Sequence, residues 1–230
     1  PSTLLTDLNA TTRISGGQWR PDEAHGVGGD AMTMRQALRV SNNRAAVRVL
    51  NNVGLARAVN YAEGLGLARP PAVPSMVLGS GEVTLLSMTT AYGAFANGGM
   101  VRPPVFVRRV EDRNGHLLWQ DETESHRAVS VSTAFLMADM LADVMNRGTG
   151  ARARSDGFRL PAGGKTGTTD DYKDAWFVGF TPTLVAGVWA GFDEPRTIIP
   201  NGYATGLVVP IWARFMREAT KGQPARWVET

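Results

Sequence analysis

Gly163-Gly164-Lys165-Thr166-Gly167-Thr168-Thr169, then Asp170-Asp171-Tyr172-Lys173-Asp174, then Ala175-Trp176-Phe177-Val178-Gly179-Phe180 decide how the last third of this chain folds. The two flanking segments are short and rich in Thr, Val, Trp and Phe, residues that suit a pleated, half-buried surface. An acidic turn separates them, and a Thr-Pro turn separates them from a third such segment, Leu184 to Phe192. The pattern predicts adjacent antiparallel strands, with Lys165 to Thr169 paired to Ala175 to Phe180. Pro210 then opens a final helix through Ile211, Trp212, Phe215 and Met216, expected to cover the sheet.

Upstream, the texture is helical. Thr33 and Gln36 form a capping box, and Met34, Ala37 and Leu38 recur at helical spacing up to the polar triplet Ser41-Asn42-Asn43. Further helices are expected after Arg44, carrying Ala46, Val47 and Leu50 and ending near Gly54; through Ala58, Tyr61 and Ala62 toward Gly64 and Gly66; and on a Leu85, Met88, Tyr92, Phe95 face stopped by Gly98-Gly99. A long one follows from Ser132, with Phe135, Leu136, Met140, Leu141 and Val144 on one side, and stops at Gly148-Thr149-Gly150. Asn114-Gly115 predicts a tight hairpin between Val105 to Val110 and His116 to Trp119. Residues 1–32, with the turn signals SGGQ, RPDE and HGVGGD, show no lasting period and predict an extended surface excursion. The chain therefore reads as one unit: the excursion over 1–32, a mainly helical part with a hairpin over 33–150, and the strands with their terminal helix over 160–230.

Composition narrows the chemistry. The 230 residues are 43% hydrophobic and 20% charged, enough apolar material for one core. Net charge is +3, and apart from Lys165, Lys173 and Lys221 the basic residues are arginines scattered along the chain, so no nucleic-acid partner is expected. There is no cysteine, hence no disulfide, thiol nucleophile or thiolate metal site. His25, His116 and His126 lie far apart and read as surface or loop residues, so neither a metal nor another cofactor is expected. No run of about 18 apolar residues suggests a membrane span.

Two segments can carry chemistry. A Walker A loop is excluded at Lys165, because that motif needs glycines several residues before a Lys-Ser/Thr pair opening a helix. On a strand edge, the Lys165 ammonium and the Thr166 and Thr168 hydroxyls can hold a carboxylate, Gly167 lets a ligand approach the backbone, and a backbone N–H can stabilise an oxyanion. A turn carrying a surface lysine has the same composition. Ser41-Asn42-Asn43 reads equally as ordinary helix caps, or as a proton relay at Ser41 with an amide clamp at Asn43.

Taken together, Ser41-Asn42-Asn43 followed by Lys165-Thr166-Gly167 resembles the S-x-N and K-T-G pair of penicillin-binding proteins. The surrounding text is similar to that of the bifunctional (class A) members: Ala45-Ala46-Val47-Arg48, Gly79-Ser80-Gly81-Glu82, Ala91-Tyr92-Gly93-Ala94-Phe95-Ala96-Asn97-Gly98-Gly99, Gly148-Thr149-Gly150 and Asp174-Ala175-Trp176-Phe177. The resemblance covers nearly the whole chain. It implies an α/β fold of the α+β type, an antiparallel sheet flanked by a helical cluster and a covering helix. It also implies a serine D,D-transpeptidase that cross-links peptidoglycan stem peptides and is acylated by β-lactams, on the periplasmic face of the bacterial inner membrane. Ser41 would relay protons and Asn43 would hold the substrate amide and support the lysine. Lys165 would supply positive field, while Thr166, Gly167, Thr168 and Thr169 would line the carboxylate site, with the Thr168 N–H in the oxyanion hole.

The family's Ser-x-x-Lys is absent: none of the three lysines has a serine three positions earlier. The nucleophile is expected on an upstream segment, joined as a separate chain of the same folded particle, and the anchor upstream as well. This chain alone is expected to be inactive and its fold incomplete without that segment. Rival readings of the same motifs are a D,D-carboxypeptidase, a β-lactamase, and a non-catalytic peptide-binding or scaffold domain.

Overall fold

The computed structural model describes residues 1–14, 16–23 and 29–229. Ser15 of the SGGQ signal, and His25 with most of the HGVGGD signal, lie outside the described residues. The N-terminal stretch contains β1 (Leu4–Leu5), β2 (Thr12–Ile14), β3 (Gly17–Trp19) and β4 (Met32–Thr33), with β1 paired to β4 and β2 to β3, all antiparallel. It is less of a surface excursion than its polar text suggests. Leu5, Leu8 and Met32 are buried in one cluster with Ala37 and Ala45, and so fasten the stretch to the helices that follow.

Those helices are α1 (Met34–Val40), α2 (Asn43–Val53) and α3 (Leu55–Gly64). Thr33 caps α1 by accepting the Gln36 N–H at 3.2 Å. The end of α1 is a Schellman turn: Asn42 N–H reaches Ala37 O, Ser41 N–H reaches Leu38 O, and Ser41 takes the left-handed conformation at φ 58°, ψ 48°. Asn42 is buried and caps α2, its side chain accepting the Ala45 N–H at 2.8 Å.

A 3-10 turn over Pro74–Leu78 leads to α4 (Leu85–Ala96), which Thr84 caps. Next come β5 (Met100–Val101), β6 (Arg109–Glu111), β7 (Leu117–Gln120) and β8 (His126–Arg127), pairing β5 with β8 and β6 with β7. The hairpin is shorter than expected and its turn is different. Only Gly115 of the Asn-Gly pair has positive φ, at 82°, because Asp112 builds the loop by accepting the Asn114 and His116 N–H groups through its carboxylate.

The second half comprises α5 (Val131–Arg147), α6 (Arg152–Ser155), β9 (Gly163–Thr168), β10 (Ala175–Phe180), β11 (Val185–Ala190), α7 (Ala204–Leu207) and α8 (Val209–Ala219). The last three strands form one antiparallel sheet in the order β11-β10-β9, with Lys165 opposite Val178 and Thr168 opposite Ala175. The expected pairing is present, except that Thr169 lies just outside the strand.

Helices cover both faces of the sheet. On one, Trp212 of α8 is wholly buried between Phe158 and Phe177, each ring about edge-on at 5.1 Å. On the other, Leu141 of α5 packs with Phe180, with Tyr92 and Phe95 of α4 alongside. Gly164 permits this spacing, since a Cβ there would lie 2.7 Å from the Phe177 ring. The apolar faces are narrower than the sequence suggests: Leu136 on α5 and Ile211 and Phe215 on α8 are exposed, the latter two by more than half. Trp212 and Met216 already fill the inward stripe, and Ile211 and Phe215 sit one residue earlier, rotated about 100° around the helix.

Candidate functional site

Strand alternation sends Lys165 and Gly167 to the α5 side of the sheet and Thr166 and Thr168 to the α8 side. On the α5 side the Lys165 ammonium donates to Ser41 Oγ at 2.7 Å and to the Thr166 carbonyl at 2.9 Å. Residues 124 positions apart therefore meet, and α1 is what brings Ser41 there. Arg35 anchors that helix to α5 through Asp139 and, at 3.0 Å, through Asp143, which also accepts from Arg147 at 3.1 Å. The Asp139 carboxylate, ahead of Asp143, holds the Arg35 guanidinium above its ordinary pKa. At the other end α1 abuts the turn after α5: a Cβ on Gly148 would stand 2.3 Å from the Arg39 carbonyl, so only glycine fits.

Burial of the Lys165 ammonium pushes its pKa down to about 8, and no carboxylate among the described residues offsets that loss of hydration. At neutral pH the group still carries its proton. The result is a desolvated positive charge, bonded to a serine hydroxyl and short of a negative partner, beside the terminal strand of a sheet. Such an arrangement favours an anion arriving from outside.

The other predicted residues are placed as follows. Thr166 Oγ1 is 2.6 Å from Thr149 Oγ1, and Thr168 Oγ1 accepts the Ala204 N–H at 3.1 Å. Gly167 lies opposite Trp176, where an added Cβ would be 3.3 Å from the Trp176 Cβ; cross-strand packing is a reason for glycine there besides ligand approach. Thr169 Oγ1 is turned into the loop, donating to Asp174 Oδ2 at 3.2 Å and accepting the Asp174 N–H at 2.8 Å. Asn43 follows Ser41 by two residues and has no hydrogen bond to Lys165 among the described residues. It opens α2 with its side-chain Nδ2 donating to the Asp22 carbonyl at 2.8 Å, while Glu23 accepts the Asn43 and Arg44 N–H groups. An exposed amide in the first turn of a helix takes the nearest carbonyl, and the N-terminal stretch supplies it.

Sequence reasoning missed α7, whose four residues are too few to show a period. It also passed over Thr149, seen only as part of a turn.

Ser41 is unusual in one further respect. A non-glycine residue in the left-handed region costs roughly 1 kcal/mol relative to glycine. We expect Ser41→Gly to be more stable than Ser41→Ala by about 1 kcal/mol, because both lose the bond to Lys165 and only glycine relieves the backbone. Chemical denaturation of the two variants in the full-length protein measures the difference; equal stabilities would show that the backbone there is unstrained.

Residues 5–191 match the family described as the Penicillin binding protein transpeptidase domain. Penicillin-binding protein 1A of Neisseria gonorrhoeae is 37% identical over 220 residues, covering 92% of this chain and 27% of that protein. Penicillin-binding protein 1A of Rickettsia bellii is 36% identical over 230 residues, covering 90% and 29%. The chain thus spans less than a third of the curated relatives it matches. Among solved structures, Penicillin-Binding Protein 1A from Haemophilus influenzae superimposes with a TM-score of 0.91 at 24% identity, over 100% of this chain and 40% of that one. The PonA1 protein from Mycobacterium tuberculosis in complex with penicillin V gives 0.82 at 23% identity, over 98% and 65%.

Proposed function

The chain belongs to the penicillin-binding protein transpeptidase family, with class A proteins as its relatives, and on that premise we propose that it is the C-terminal portion of a D,D-transpeptidase domain. One observation carries the reading: the 2.7 Å bond from the Lys165 ammonium to Ser41, with no carboxylate partner among the described residues. A substrate that ends in a carboxylate would supply the missing charge.

In the proposed reaction a serine of an upstream Ser-x-x-Lys attacks the carbonyl of the penultimate D-alanine in a peptidoglycan stem peptide. The C–N bond breaks, terminal D-alanine leaves as the amine, and an amine of a neighbouring stem peptide then attacks the serine ester. Ser41 suits the relay because it accepts from Lys165, which frees its own O–H to donate to the leaving nitrogen. Thr166 and Thr168 hold the terminal carboxylate, and the Thr168 N–H contributes to the oxyanion hole. Asn43 takes the substrate amide through its Oδ1 and the second Nδ2 proton, the first being held by the Asp22 carbonyl. β-Lactams enter the same site as covalent inhibitors. The reaction places the protein in the cell envelope, outside the cytoplasmic membrane.

The test is to incubate the full-length protein with stem peptide and an acceptor amine, and to follow D-alanine and cross-linked product. Release of D-alanine with cross-linking is the expected result. Release without cross-linking would make the protein a carboxypeptidase, rapid turnover of penicillin would make it a β-lactamase, and no reaction with either would favour the scaffold reading.

A further inference from the structure

The turn between α5 and α6 holds a residue that joins the separate parts of the site. Thr149 N–H points at the Arg39 carbonyl, at 3.4 Å, in the last turn of the helix that carries Ser41. Its carbonyl accepts from Thr205 Oγ1 of α7 at 2.9 Å, and α7 in turn gives the Ala204 N–H to Thr168 Oγ1 at 3.1 Å. Its hydroxyl is 2.6 Å from that of Thr166. The neighbouring glycines fix the turn at close quarters: a Cβ on Gly148 would strike the Arg39 carbonyl, and one on Gly150 would lie 3.2 Å from Met145 Sδ and 3.3 Å from the Phe177 ring.

The two hydroxyls can place only one proton on the line between them. If Thr166 donates to Thr149, it has no proton left for an anion. If Thr149 donates, the Thr166 proton is free to point at a carboxylate, while Thr166 Oγ1 remains satisfied as an acceptor. A carboxylate bound at Thr166 selects the second arrangement, since it needs a donor. We propose that Thr149 is a positioning residue, whose hydroxyl keeps Thr166 oriented as a hydrogen-bond donor to the carboxylate of the ligand; this rests on the proposed function.

The experiment uses the full-length protein and compares a penicillin with its methyl ester, which lacks the anion. Thr149→Val is expected to lower the second-order rate of acylation by the free acid about tenfold, mainly by weakening the initial complex, and to change the ester rate by less than about twofold. Thr149→Ser, which keeps the hydroxyl, should restore the free-acid rate to within about twofold of wild type. In a Thr166→Val background, Thr149→Val should add almost nothing, because its route of action is already gone. Equal losses for acid and ester, or the full loss persisting in the Thr166→Val background, would overturn the role and leave Thr149 as a packing residue. If Thr149→Val does not fold, Thr149→Ala takes its place in the same comparisons. Absence of acylation in the wild-type protein would overturn the proposed function itself, and this inference with it, whereas normal wild-type acylation with unselective losses overturns this inference alone.

Discussion

Lys165→Ala in the full-length protein is expected to slow acylation by both penicillin and stem peptide about a thousandfold, with Lys173→Ala within about twofold of wild type. The Lys165 ammonium donates to Ser41 at 2.7 Å, and in the proposed complex it also faces the substrate carboxylate. Each charge-assisted bond is worth roughly 1.5–3 kcal/mol, and losing two removes about 4 kcal/mol, or three powers of ten in rate. Lys173 forms an exposed pair with Asp171 at 3.1 Å on the turn beyond the strand, a contact worth about 0–1 kcal/mol. The lysine's pKa of about 8 adds a second signature. The charged form does the work, so acylation should decline as pH rises through about 8, and Lys165→Ala should lose that limb. Stability should move the opposite way. The folded pKa lies below the ordinary 10.5, so the unfolded chain binds more protons between those values, and folding is favoured as pH climbs from about 8 to 10.5. Equal losses of acylation in the two lysine variants would remove Lys165 from the site.

Legibility in the sequence followed how directly each feature depends on burial. The strands β9, β10 and β11 are legible because alternate residues face packed helices, and the register that sets Lys165 against Val178 follows once the turn is located. The helices α1, α4 and α5 likewise carry their period in residues such as Ala37, Tyr92 and Leu141. Features made by single polar bonds are not legible in this way. The left-handed Ser41, the Asn42 cap and the Asn43 contact with Asp22 depend on which carbonyl or N–H lies nearest in space. The triplet at 41–43 reads as caps or as chemistry from sequence, and the structure shows that it divides: Asn42 caps a helix while Ser41 meets Lys165. At the hairpin, the sequence signal was the Asn-Gly pair, but Asp112 lies nearer the turn's amides and determines its geometry. On α8 the apolar residues outnumber the inward positions, so composition could not say that Ile211 and Phe215 stay exposed.

The other large effect is all or none. These 230 residues alone should form no covalent adduct with a labelled penicillin, and the same residues joined to an upstream segment bearing Ser-x-x-Lys should form one. Ser41 is the only serine bonded to a lysine here among the described residues, and the bond has the wrong sense for a nucleophile. Lys165, with its pKa of about 8, is protonated at neutral pH and donates to Ser41; it cannot at the same time take the Ser41 proton. A hydroxyl without a base is a poor nucleophile. What remains is reversible contact of the ligand carboxylate with Lys165, Thr166 and Thr168, roughly 1.5–3 kcal/mol for each charged hydrogen bond before the costs of association. Such a complex dissociates in denaturing electrophoresis, whereas an acyl ester persists. Mass spectrometry of the labelled full-length protein, after proteolysis, should place the adduct outside residues 1–230. An adduct on Ser41 would reverse the roles, making Ser41 the nucleophile and Lys165 its base, and the proton relay described above would have to be abandoned.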